Sequence, residues 1–226
     1  MGYTRKCILE KCNNALIDIK TFYKQDFINY RGKTVDTNEL CSEIICKFVC
    51  DNINLFYNTI PQITREKSYK TEGHNGEYNK CTNRIEEVIA MQMFKQGTFS
   101  QIGRIIDYQI PLKNKRGDKA GKIDLLSYDG EKLRVLELKK PDSDETMLRC
   151  VLEGYTYLKT MNIRKLLADF NLPINTEVIA CPFVFRGREQ HKEMRENRPY
   201  LFELMRLLNS KPYYITLENQ IYIVEE

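Results

Sequence analysis

Asp124, Glu137 and Lys139 place two hard-oxygen acids and one ammonium within Gly121–Pro141, a stretch that otherwise reads as a β-hairpin. Asp129-Gly130, between Tyr128 and Glu131, predicts a two-residue type I′ turn, because both central positions of that turn need positive φ. The register that follows pairs Tyr128 with Glu131 and Asp124 with Val135, leaving Glu137 one diagonal step from Asp124, about 7–8 Å or less between backbones. Strand alternation then puts Asp124, Glu137 and Lys139 on one face and Ile123, Leu125, Leu136 and Leu138 on the other, the face expected to meet a core. A carboxylate removed from water loses several kcal/mol of solvation unless it is paired. Two of them about 5 Å apart repel by roughly 3 kcal/mol at an effective dielectric near 20, and a divalent cation between them reverses the sign. Lys139 neutralises only one charge, so the chemistry this trio suits is the holding of a hard cation.

Asp124, twelve residues and then Glu137-Leu138-Lys139, in the order strand, turn, strand, helix, resembles the D…(D/E)xK core of the PD-(D/E)XK nuclease superfamily. The resemblance implies an α/β (α+β) mixed sheet with a restriction-endonuclease-like αβββαβ core over residues 83–185. It further implies Mg²⁺, or Mn²⁺ in its place, bound by Asp124, Glu137 and the main-chain carbonyl of Leu138. Many members complete the site with an acid on the helix before the hairpin, here Glu86 or Glu87, and helical periodicity leaves both open. Such ions take oxygen ligands, lower the pKa of a bound water and stabilise charge on phosphate. Lys139 would position or deprotonate that water and steady the phosphate. Glu153-x-x-x-Tyr157 is similar to the Q-x-x-x-Y motif of several branches, with Glu in place of Gln, and implies supporting roles for Glu153 and Tyr157. The expected function is a metal-dependent deoxyribonuclease, with RNA retained as a possible substrate. The alternatives are a binding module for nucleic acid or protein on the same fold with cleavage lost, and an assembly protein built on the N-terminal helices.

Elements able to position these residues follow from periodicity. Apolar spacing predicts helices over residues 5–29 and 36–58, the second capped by Asp36 or Thr37 and ended by Pro61; they cover the sheet, shape a groove or mediate a homodimer. Residues 64–83 read as a polar loop with His74 on its surface. Residues 83–96 read as a helix capped by Asn83 and stopped by Gly97, with Glu86 and Glu87 near its positive dipole end. Ile102–Leu112 suits a strand, with Asp107 as a structural or edge residue. After Pro141, Asp142 with Glu145 resembles a capping box opening a helix to about Thr160, and helical sequence continues over 158–167. Glu177–Phe185 reads as a central strand made less regular by Pro182. A solvent-facing helix over 186–198, a helix over 199–208 and a hairpin over 212–225 turning at Glu218-Asn219 close the chain. The expected organisation is one domain: a helical extension over 1–63, the core over 83–185, and a helix plus β-hairpin over 186–226.

Composition narrows the function further. With 226 residues, 42% hydrophobic and 29% charged, the chain suits one sizeable core. No apolar run reaches the roughly 18 residues of a membrane span, and no signal pattern opens the sequence. Eight cysteines without a Cys-x-x-Cys read as small buried residues in a reducing, cytoplasmic setting rather than as bridges or zinc ligands. Two histidines leave little room for histidine-centred acid–base chemistry. The net charge of +4 is unevenly spread: Lys113, Lys115, Arg116, Lys119 and Lys122 crowd the loop before the hairpin against Asp118 alone. Together with Lys140, Arg186 and Arg188 they are the expected contacts to nucleic-acid phosphates.

Overall fold

The computed structural model describes residues 2–77, 83–114 and 121–226. It is a mixed α+β fold around a seven-stranded sheet whose spatial order is the chain order: β1 (Thr98–Phe99), β2 (Gly103–Pro111), β3 (Lys122–Tyr128), β4 (Lys132–Leu138), β5 (Glu177–Phe185), β6 (Tyr213–Glu218) and β7 (Ile221–Glu225). β4, β5 and β6 run parallel to their neighbours in that trio, and the other pairings are antiparallel. The parallel joins need crossovers. α5 (Met147–Thr160) and α6 (Ile163–Asp169) supply the first, and α7 (Glu189–Arg195) and α8 (Pro199–Leu207) the second.

Both sheet faces are covered. On one, Leu126, Leu133 and Val135 join a core with Ile8, Phe22, Ile45, Phe56, Leu148 and Leu204, drawn from α5, α8, α1 (Arg5–Ala15), α2 (Cys41–Asp51), α3 (Ile53–Thr59) and the chain between α1 and α2. On the other, Leu125, Leu136 and Leu138 pack with Ile89 and Met93 of α4 (Ile85–Gln96) and with Phe183 and Ile215. Ile123 departs from expectation: it lies in the first core, not with Leu125.

Several local signals yield to tertiary contacts. The β3–β4 connection is not a two-residue turn. Tyr128 pairs with Leu133 and Leu125 with Leu136, because Asp129 Oδ1 accepts from the main-chain N–H of Glu131 and Lys132 and rounds off a longer loop. The same register carried one step further sets Asp124 opposite Glu137. A two-residue connection with positive φ occurs instead at Asn219-Gln220, one position beyond the expected turn, joining Glu218 to Ile221.

The predicted first helix ends at Ala15 and continues as 3₁₀ segments, Leu16–Lys24 and Asp26–Asn29. α2 begins only after Leu40, since Asp36 instead accepts from the N–H of Arg5 at the start of α1. Asn83 gives α4 a carbonyl rather than a side-chain cap, and Arg84 stands at the cap position. Thr146, not Asp142, caps α5 by accepting from Arg149 N at 3.2 Å. The helix predicted over 186–198 shortens to α7 and buries Gln190 and Glu193.

His74 is not a surface side chain. Its ring stacks on Tyr108 at 4.1 Å, and its Nδ1 lies 2.5 Å from Oδ1 of the buried Asp107. Pro182 sits inside β5 without breaking it. Phe183 aims its carbonyl at Lys139 on the β4 side, so alternation directs the nitrogen of Pro182 toward β6, whose pairing starts only at Phe183–Tyr213.

Candidate active site

The site forms where β4 ends. Lys139 N donates to Phe183 O at 3.0 Å, which extends the parallel ladder and points the lysine toward α5. The side chain is 5% exposed. Its ammonium lies 2.8 Å from Glu137 Oε1, 2.9 Å from Glu153 Oε2 and 2.6 Å from Glu145 Oε2. Burial opposes this charge, but Glu137, Cys150, Glu153 and Glu145 outweigh it and hold the lysine well above its ordinary range. Burial, then the charge of Glu153, pushes Glu137 well above the usual carboxylate range against the pull of Lys139. Glu153 goes the other way: burial raises it, yet the charge and hydrogen bond of Lys139 and the Tyr157 hydroxyl bring it below its normal value. One ammonium thus meets three carboxylates, and the electrostatic cost falls on Glu137.

Asp124 stands across the hairpin. Its Oδ2 accepts from Leu138 N at 3.0 Å and its Oδ1 from Gln109 Nε2 at 3.0 Å. Burial drives its pKa up to about 7; Glu86 and Glu153 add to the rise, while Lys139 and the Leu138 N–H oppose it. Gln109 reaches Asp124 from a backbone at φ +49°, a left-handed conformation rare for a side-chain-bearing residue, just beyond a register shift in β2. Nothing in the sequence marked Gln109, which looks like any polar residue in a strand.

The two acids of α4 separate. Glu86 Oε1 accepts from the N–H of Lys140 at 3.1 Å, directly after Lys139. Glu87 turns to Arg84 at 3.1 Å and Lys122 at 3.5 Å. Glu86 is therefore the helix acid in contact with the end of β4. On α5, Tyr157 donates to Glu153 Oε1 at 2.8 Å, and Tyr23 lies behind it with 3.4 Å between the two hydroxyl oxygens.

Glu145 carries a contact that its reading as part of a helix cap did not foresee. The non-helical residues before α5 are fastened from two sides. Arg31 donates to the carbonyls of Asp144 and Glu145 and pairs with Glu193 at 2.8 Å. Gln190 donates to Glu145 O at 2.6 Å, and Thr146 Oγ1 to Ile28 O at 2.9 Å. Arg149 then holds the other carboxylate oxygen of Glu145 at 2.9 Å.

The expected phosphate contacts are distributed more loosely. Lys115, Arg116 and Lys119 lie outside the described residues. Lys113 is half-buried where β2 gives way to the basic loop, and Lys122 is exposed at the start of β3. Lys140 pairs with Asp142 at 3.5 Å. Arg186 and Arg188, both exposed, follow the end of β5; Arg186 pairs with Glu225. Among the described residues, no three His, Cys, Asp or Glu side chains are gathered as a ready-made metal cage, and no helix is long and apolar enough to cross a membrane. No family model, curated protein or solved structure matches this chain.

Proposed function

We propose that this chain is a metal-dependent nuclease of the PD-(D/E)XK type, hydrolysing phosphodiester bonds of DNA, with an αβββαβ core at residues 83–185 in a single domain. The carrying observation is the 2.8 Å pairing of Lys139 with Glu137 at the end of β4, with Asp124 bonded to the intervening Leu138 N–H. Charge supports it: Glu137, Glu145 and Glu153 surround one ammonium, and Asp124, raised by burial and by the charges of Glu86 and Glu153 against the pull of Lys139, is pushed up to about 7. Excess carboxylate in a site of low polarity is the condition a hard divalent cation relieves.

The donors fit such an ion in kind, being all oxygen. Asp124, Glu137, the carbonyl of Leu138 and Glu86 would hold Mg²⁺ or Mn²⁺, which when bound would acidify water and offset charge on the phosphate. Lys139 orients the attacking water and donates to the phosphoryl oxygens. Glu153, fixed by Tyr157, keeps the ammonium aimed, and Gln109 fixes one oxygen of Asp124. Seven free cysteines among the described residues fit a reducing, cytoplasmic setting.

The test is a cleavage panel of duplex, single-stranded and branched DNA and of RNA with Mg²⁺, Mn²⁺ or chelator, run on the wild type and on Asp124→Asn, Glu137→Gln and Lys139→Ala. Metal-dependent cleavage that falls at least about 100-fold in each variant, with folding kept, supports the proposal. Absence of cleavage of every substrate with either metal rejects it in favour of a binding module.

A further inference from the structure

His74 and Asp107 form a cluster that the chemistry above does not use. It belongs to residues 63–77, which contain neither helix nor strand and are fastened to α5, α6 and β2. Ile63 N donates to Thr160 O at 2.8 Å, Tyr69 N to Asp169 Oδ2 at 2.7 Å, and Gly76 N to the Tyr108 hydroxyl at 3.2 Å. Asp107 is 3% exposed. Its Oδ1 accepts from Tyr108 N at 2.8 Å and shares a hydrogen bond with His74 Nδ1 at 2.5 Å, and its Oδ2 accepts from Thr71 N at 3.4 Å. The His74 ring stacks on Tyr108, and Phe94 of α4 meets the same tyrosine edge-on at 5.0 Å.

The next residue along β2 is Gln109. The β2 register shifts between Ile105 and Asp107, and pairing with β3 passes from Tyr108–Leu125 to Ile110–Ile123 across Gln109 at φ +49°. Strand pairing favours negative φ, so the left-handed residue persists only where contacts off the sheet over-determine it. Thr71, His74 and Gly76 supply such contacts to the two residues just before it. The side chain so aimed spans two charges: Gln109 Nε2 donates to Asp124 Oδ1 at 3.0 Å, and Oε1 faces the Lys122 ammonium at 3.5 Å. An acid on one side and an ammonium on the other fix which end of the carboxamide faces which.

We propose that His74 is a positioning residue for the candidate active site, acting through Asp107 and Gln109 on Asp124. The His74–Asp107 clasp keeps the Gln109 backbone turned so that its carboxamide restrains Asp124. The bearing of the clasp on metal chemistry rests on the nuclease reading; the clasp itself does not.

NMR of the metal-free full chain tests the clasp first. The side-chain amide pair lost in Gln109→Leu identifies Gln109, and Asp124→Ala gives its released position. In His74→Ala, checked for native circular dichroism, the pair should move toward that released position. In His74→Asn, whose Nδ2 stands in for Nδ1, it should stay near its wild-type place. A pair unmoved by His74→Ala, or already at the released position in the wild type, overturns the proposal. Calorimetric titration with Mn²⁺ follows. Gln109→Leu should weaken binding roughly tenfold, His74→Ala by a similar factor, and the double variant by no more than Gln109→Leu alone. Losses that multiply in the double variant overturn action through Gln109. A wild type that binds no Mn²⁺ while the amide pair moves counts against the nuclease reading and leaves the clasp standing.

Discussion

Lys139 Nζ lies 2.6 Å from Glu145 Oε2, an ion pair without hydrogen-bond geometry beside the two hydrogen bonds that the same ammonium donates to Glu137 and Glu153. Of the three ammonium N–H groups two are committed, and the third, drawn toward Glu145 without bonding to it, is the donor left for water or phosphate. Glu145 is the partner best placed to let go. It lies outside regular secondary structure and is half-buried, whereas Glu137 and Glu153 are buried on β4 and α5.

Glu145→Gln should therefore keep cleavage within about tenfold of wild type while shifting its pH dependence. Losing one carboxylate lowers the lysine pKa, so the alkaline limb of the rate profile, where the donating ammonium is lost, should move to lower pH. Rate profiles of the two proteins decide it; an unchanged limb would show that Lys139 does not titrate in the reaction.

Removing the ammonium itself has a different effect. Lys139→Ala leaves Glu137, Glu145 and Glu153 around an uncompensated pocket, and loss of one partner from such a cluster costs on the order of 3–5 kcal/mol. Thermal melts should show the variant destabilised at neutral pH and partly recovered in mild acid, where the carboxyls take up protons. A melting temperature equal to wild type at both pH values would contradict the burial described above.

Asp124 predicts a pH dependence of stability with a defined sign. Its folded pKa of about 7 exceeds the ordinary carboxylate value, so the native state binds the extra proton. Its contribution is favourable below about pH 4 and is lost as pH rises toward 7, by on the order of 4 kcal/mol. Denaturant titrations across that window should show a shallower fall for Asp124→Asn than for wild type. Added Mg²⁺ should raise wild-type stability at neutral pH, with a smaller gain in the variant.

Arg31 fastens the Glu145 segment from outside the core. Arg31→Ala leaves the Asp144 carbonyl and Glu193 Oε1 without their donor, while Gln190 still reaches Glu145 O and the Met147 N–H still reaches Glu193 Oε2, and should cost about 1–3 kcal/mol in chemical denaturation. Its effect on the cleavage pH profile should resemble that of Glu145→Gln, because both loosen the same contact.

The acidic pair, the lysine, α5 and β5 were legible because each rests on short-range regularity: alternation in β4, helical spacing before Thr160, an unbroken apolar run in Glu177–Phe185. What escaped depends on partners distant in sequence. Asp-Gly promised a tight turn, but the Asp129 side chain captured two amides and changed the register. Asp36 and Asp142 looked like caps, yet Asp36 serves Arg5, and Thr146 does the capping at α5. Glu145, Gln109 and Tyr23 reach the site only through tertiary packing, which leaves no mark on local periodicity.

The seven strands lie side by side in the order in which they are made. Each can therefore dock on its predecessor as soon as it appears, so a nascent chain extends one growing border instead of searching among several. β4, which leads into Lys139, occupies the middle position and is enclosed once β5 arrives. The ribbon of β6 with β7 is the last of the seven strands to be made and closes the border after the β3–β4 hairpin has been built.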